Sequence, residues 1–153
     1  RQILAANPRA TAIREDFANP RAILEHPSVL ELIDFGQPMA LLLVALLHAV
    51  RDDRDPYGAL TVIKERMAPG SFLVIGHGTY ERHPDAFQEV AEAVSRTATP
   101  LAMRTHAEIL RFFAGFELVE PGLVWANEWR PDSSDDHPSK LSAFNYGGVG
   151  RKP

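Results

Sequence analysis

Strand-sized and helix-sized segments alternate along most of this chain, which predicts an α/β fold with a mostly parallel sheet. Two further observations shape that prediction. The central strand candidate is a continuous apolar run, as a strand covered on both faces requires. The last strand candidates follow one another with no long helix between them, so the closing pair is expected to be antiparallel.

The opening, Arg1-Gln2-Ile3-Leu4-Ala5-Ala6-Asn7-Pro8, has the character of a helix's last turns, stopped by Asn7 and Pro8. A domain seldom starts inside an uncapped helix, so the sequence is expected to be cut at its N-terminus. Ala10 to Glu15 is short, partly apolar and β-branched, and reads as a strand ending at Asp16. Asn19-Pro20 supplies an N-cap and a first-turn proline for a short helix. Pro27 restarts it as a second helix bearing Val29, Leu30, Leu32 and Ile33. Met39 to Leu47 shows no polar alternation. Leu and Ala also suit a buried helix, but Gly36-Gln37-Pro38 before the run and a helix start after it favour a strand.

Asp55-Pro56 begins the next helix, with Leu60, Ile63 and Met67 facing inward and Pro69-Gly70 ending it. Ser71 to Ile75 is a strand candidate ending at Gly76-His77-Gly78. Phe87, Val90, Ala91 and Val94 share one helical face. Thr105 and Glu108 have capping-box spacing ahead of Ile109, Phe112 and Phe113, and Gly115 is the stop. Phe116–Glu120 and Leu123–Trp129 read as strands around a Pro121-Gly122 turn. Pro131 to Lys140 is a polar loop, and a last strand is expected from Leu141 to Tyr146, before Gly147-Gly148.

The 153 residues suffice for one domain, and 45% hydrophobic with 24% charged residues is ordinary for a globular protein. A net charge of -4 without a Lys/Arg cluster argues against nucleic acid as partner. The absence of cysteine excludes disulfides and thiolate metal sites. The run Met39–Leu47 is too short to span a bilayer and no secretory signal opens the chain, so a cytoplasmic, non-membrane protein is expected.

Several segments go further than fold class. They are Glu15-Asp16-Phe17-Ala18-Asn19-Pro20, Leu43-Val44-Ala45-Leu46-Leu47-His48-Ala49-Val50, Met67-Ala68-Pro69-Gly70-Ser71-Phe72-Leu73-Val74-Ile75 and Arg111-Phe112-Phe113-Ala114-Gly115-Phe116-Glu117-Leu118-Val119-Glu120-Pro121-Gly122-Leu123-Val124. With Trp129-Arg130-Pro131 and Tyr146-Gly147-Gly148-Val149, in this order, the chain resembles an actinobacterial S-adenosylmethionine-dependent methyltransferase family, formerly a domain of unknown function. The resemblance covers essentially the whole chain. It implies a Rossmann-like class I methyltransferase sheet, here a single partial domain over residues 1–153 that lacks the family's first two strands. Those strands, with the glycine-rich turn and the ribose-binding acid, would lie before Arg1. They would sit between the Ala10–Glu15 and Met39–Leu47 strands. Their absence would leave the Met39–Leu47 strand as an apolar edge, which the Ala10–Glu15 strand would move across to cover.

The resemblance also implies the site. S-adenosyl-L-methionine is the cofactor, and the fragment alone is not expected to transfer methyl groups. Asp16 accepts from the adenine amino group and Phe17 borders the base; Asp16 as a plain helix cap is the alternative. Backbone carbonyls at Ala45, Leu46 and His48 hold the methionine end; core packing of Ala45 and Leu46 is the alternative. His48 is also a candidate base, its reference pKa lying near neutrality, or a ring that only ties down a loop. His77, between two glycines, is expected to stand exposed on the acceptor side as a substrate-contacting or catalytic residue. Tyr80 and Arg104 are further candidates for the acceptor pocket, with surface positions as the alternative. His77, His83 and His106 match no metal-ligand spacing, so no metal is expected. Trp125 and Trp129, two apart, share one face of a strand, as packing or as an aromatic wall.

The function expected is methyl transfer to a small-molecule acceptor. A non-catalytic cofactor-binding or regulatory protein on the same scaffold is the alternative, because fold does not fix function.

Overall fold

The computed structural model describes residues 7–82, 101–131 and 144–153. The expected opening helix, the helix through Phe87, Val90, Ala91 and Val94, and most of the Pro131–Lys140 loop lie outside the described residues. The elements are α1 (Pro20–Leu24), α2 (Pro27–Leu32), β1 (Ala40–Val44), α3 (Pro56–Arg66), β2 (Phe72–Gly78), α4 (His106–Leu110), β3 (Glu117–Leu118), β4 (Val124–Trp125) and β5 (Asn145–Arg151). The strands form one sheet in the order β1-β2-β5-β3, with β4 also on β5. β1 and β2 are parallel, with Ala40 opposite Phe72 and Val44 opposite Gly76. β5 runs antiparallel to β2, β3 and β4, the closing arrangement expected.

Local chemistry explains the helices. Asp55 caps α3 by accepting from the Gly58 amide, and Leu60, Ile63 and Met67 are buried as the periodicity predicts. Thr105 and Glu108 form the reciprocal capping box of α4. Ile109, Phe112 and Phe113 behind it are buried against the sheet. Lys152 closes the molecule by donating from Nζ to the carbonyls of Lys64 and Met67 at 2.8 and 2.6 Å, at the end of α3. Leu60, Ile63, Ile109, Phe112 and Phe113 make one core with Phe17, Leu43, Leu47, Leu73, Ile75 and Tyr146.

Four expectations are corrected. Ala10–Glu15 is not a strand and covers no edge; it has no ladder partner, and an isolated strand is not stable. β1 is therefore the edge of the described sheet, and Met39–Leu47 contributes only Ala40–Val44 to it. Its burial alternates: Leu43 is buried while Leu42 and Val44 are each 63% exposed, so one face of the apolar run is bare. β2 does not stop at Ile75 but continues through Gly76-His77-Gly78, because β5 pairs with it along that whole length.

The final strand also differs. Its Leu141–Ala143 part lies outside the described residues, and it runs through Gly147-Gly148 rather than ending before them. The reason is steric. A Cβ on Gly148 would meet Phe113 at 3.1 Å, and one on Gly150 would meet the same ring at 2.9 Å. These glycines let an aromatic ring lie against the backbone of a paired strand.

Candidate functional site

The parallel strands β1 and β2 end side by side, and their tips are joined directly. The Ala45 amide donates to the Gly76 carbonyl at 3.0 Å. Ala45 then turns the chain with φ of 57°, a left-handed conformation that alanine adopts only at a cost of roughly 1–2 kcal/mol. Strain of this kind persists where the surroundings over-determine it, as ligand-binding turns do. The turn continues as a short 3-10 segment, Leu47–Ala49, and a second, Asp52–Arg54, before α3 begins.

That loop carries the contacts that gather the predicted residues. The Gly78 amide donates to Nδ1 of His48 at 3.2 Å, tying the loop to the tip of β2. Arg54 reaches Asp16 with an Nη2–Oδ2 distance of 2.6 Å. Asp16 thus lies beside the loop at the carboxyl ends of the strands, although no strand precedes it. Its other oxygen accepts from the Ala18 amide at 2.9 Å. That backbone bond, then the Arg54 cation, hold the carboxyl below its usual range, so it is ionised at neutral pH. Phe17 buries its ring in the core, which leaves only its backbone to border a ligand.

The two histidines stand 5.7 Å apart, edge to face. His77 is 0% exposed, which corrects the expectation of an open imidazole. It lies within β2 on the face that packs against Phe112, in the turn that follows α4, and not in a turn of its own. Its tautomer follows from its partners. Arg104 Nη1, 2.9 Å away, can only donate, so Nε2 accepts; Nδ1 carries the proton and donates to the Gly78 carbonyl at 2.7 Å. Burial, opposed by the Gly78 bond and reinforced by the Arg104 charge, lowers its pKa to about 4. Burial and the same charge lower that of His48. Because Nδ1 of His48 accepts, the proton of its neutral ring sits on Nε2.

Arg104 is 2% exposed, so neither an acceptor pocket nor the surface describes it. It donates from Nη1 to the Leu47 carbonyl at 2.9 Å and from Nη2 to the Val50 carbonyl and the Asp52 carboxylate at 2.9 and 2.6 Å. Tyr80 follows two residues after β2, partly buried. Trp125 and Trp129 do not share a strand face, because the Ala126–Glu128 turn separates them. Trp125 stacks on Tyr146 at 4.1 Å and is covered by the Arg82 guanidinium at 4.3 Å, which is packing. His83 lies outside the described residues. Among the described residues no cluster of three metal-ligating side chains occurs, and no helix is long and apolar enough to cross a membrane.

Residues 1–153 all match the family described as S-adenosyl methyltransferase. The chain belongs to the S-adenosyl methyltransferase family. Among solved structures, this family member is similar to a DUF574 family protein of Streptomyces avermitilis, with 35% identity and a TM-score of 0.89 over 99% of its own length and 59% of the other's. It is similar also to a methyltransferase candidate from Thermobifida fusca, with 34% identity and a TM-score of 0.88 over 99% of its own length and 57% of the other's. The chain therefore spans less than three-fifths of either relative. No curated protein matches it. The mixed sheet, parallel with a closing antiparallel part, is the methyltransferase fold predicted for the chain.

Sequence reasoning missed the connecting residues. Arg54 and Asp52 sit in the charged run Arg51-Asp52-Asp53-Arg54-Asp55, which reads as a solvated loop. Nothing local in Leu101-Ala102-Met103-Arg104 marks a buried cation; apart from a 3.4 Å contact to the Ala102 carbonyl, its partners are 27 to 57 residues away.

Proposed function

We propose that these residues form the adenine and methionine sides of an S-adenosyl-L-methionine site, in a methyltransferase acting on a small-molecule acceptor. The chain spans less than three-fifths of its relatives' length, so methyl transfer is proposed for the whole protein and not for these residues alone. The single observation that carries the proposal is the junction of the two strand tips with Asp16, through Arg54 and His48, at the carboxyl ends of a parallel pair, where open α/β sheets bind ligands.

The cofactor fits the donor set. An ionised carboxylate at Asp16 suits the adenine amino group, which only donates. The peptides of Ala45 and Leu46, at the left-handed turn after β1, are proposed as the acceptors for the methionine end; the Leu46 carbonyl also accepts from the Ala49 amide at 2.9 Å. His48, as an Nε2–H donor, is suited to hold a carboxylate or carbonyl oxygen rather than to take a proton. His77 has both ring nitrogens engaged inside the protein and is proposed as a buttress, not a base. The bound cofactor supplies an already electrophilic methyl group. The chain's contribution is then to orient and to exclude water, and no dedicated base is required. Tyr80 is kept as the candidate for the acceptor side.

Two-dimensional amide NMR tests the proposal. Millimolar S-adenosylmethionine should shift the amides of Asp16–Asn19 and Ala45–Ala49, and NAD should not. Shifts with NAD instead, or none at these two segments, would overturn it.

A further inference from the structure

The buried Arg104 is not needed to hold α4, which its own capping box already starts. Burying a guanidinium costs several kcal/mol unless its donors are met. Its Nη donors are met mostly by one loop, while Nε is buried without a hydrogen-bond partner. Nη1 and Nη2 clamp the carbonyls of Leu47 and Val50, and Nη2 takes the Asp52 carboxylate, whose side chain is itself 73% exposed. The flat faces of Tyr57 and Phe112 lie 5.7 and 5.4 Å from the guanidinium carbon and hold its plane. Two residues earlier, the Ala102 amide donates to the His48 carbonyl at 2.7 Å. The segment Ala102–Arg104 thus grips the Leu47–Asp52 loop along its length and, through His77 Nε2, fastens it to β2.

We infer that Arg104 is a positioning residue for the site: its forked clamp on the Leu47–Asp52 loop seats Nδ1 of His48 on the Gly78 amide and so makes Nε2–H the donor His48 offers. The geometry demands an arginine. Three acceptors on one side and a ring nitrogen on the other are matched by a planar fork and not by the single ammonium of lysine. The inference rests on the cofactor reading for its purpose, but not for its mechanics.

The groups facing the two rings are few. His48 feels Arg104, and His77 feels Arg104, His48 and Asp52. Nitrogen-15 NMR of the imidazoles reads the tautomer directly, in the 153-residue chain. Arg104→Lys and Asp52→Asn are the main variants, since both are milder than Arg104→Met. In the unaltered chain His48 should be the Nε2–H tautomer. In Arg104→Lys it should become a mixture, and in Asp52→Asn it should shift partway. Amide shifts should concentrate in residues 45–52. Affinity for S-adenosylmethionine should fall by roughly tenfold in Arg104→Lys, the scale of one lost charged hydrogen bond. A lower melting temperature with an unchanged His48 tautomer in both variants would overturn the inference, showing Arg104 to be structural only. If the tautomer changes but the unaltered chain shows no cofactor-dependent shift, the positioning stands and the cofactor reading falls.

Discussion

Asp16 and Arg54, 38 residues apart, meet at 2.6 Å beside the carboxyl ends of the parallel strands. The contact gives the predicted adenine ligand a position that no strand of its own supplies. Both side chains remain largely open to solvent, so the pair contributes little to stability. Asp16→Ala should therefore leave the melting temperature nearly unchanged and weaken S-adenosylmethionine by roughly tenfold. A titration returning an unchanged dissociation constant would remove Asp16 from the site.

Ala45 is the strained residue of the β1 turn. Glycine relieves a left-handed conformation, so Ala45→Gly should be neutral or stabilising by up to about 1 kcal/mol. Ala45→Val should destabilise by roughly 1–3 kcal/mol, since a β-branched side chain tolerates positive φ worst. Urea melts of the two variants check the order; equal stability would show that the turn is not left-handed.

The buried His77 makes stability depend on pH. Its folded pKa, about 4, lies below the ordinary value of 6.5. Between those values the unfolded chain binds the proton and the folded one does not, so the stabilisation is complete above about pH 6.5. It is lost progressively as pH falls toward 4. The full loss is on the order of 3 kcal/mol. His48, also lowered, acts in the same direction. Urea midpoints between pH 7 and 4.5 should fall, and His77→Gln should flatten the slope whatever its effect on stability at pH 7. A slope identical in the variant would place the proton uptake elsewhere.

Gly150 is fitted to Phe113 and Phe116, whose atoms a Cβ would meet at 2.9 and 3.0 Å. Gly150→Ala should destabilise by about 1–3 kcal/mol as an overpacked site. Combining it with Phe113→Leu should be less than additive, since the smaller side chain removes part of the clash. Strict additivity of the two losses in thermal melts would contradict the packing described.

Leu42 and Val44 leave an apolar stripe on the edge strand β1. Unpaired apolar edges associate, and charge on them blocks it. Leu42→Lys should reduce self-association in sedimentation velocity without lowering stability. An unchanged distribution would show that this edge is not the sticky surface.

Much of the fold was written locally. The capping box at Thr105–Glu108 and the buried stripe Leu60, Ile63 and Met67 need only residues a few positions apart, and both are present as read. The parallel β1–β2 pair follows from two apolar runs separated by a helix, and the order of short segments was enough for the family. Ala10–Glu15 had strand composition, but a strand exists only where a neighbour pairs with it, and composition does not name the neighbour. Gly147-Gly148 looked like a stop because glycine usually punctuates; at Gly148 the ring of Phe113, 35 residues away, occupies the space that a side chain would fill. The state of His77 was beyond reach for the same reason. An imidazole between two glycines is exposed or buried, base or buttress, according to whether a distant guanidinium meets it, and Arg104 lies 27 residues further along the chain. Periodicity and capping act over one turn of chain and are therefore legible in sequence. Burial and protonation are set by contacts across the core, which only the tertiary structure decides.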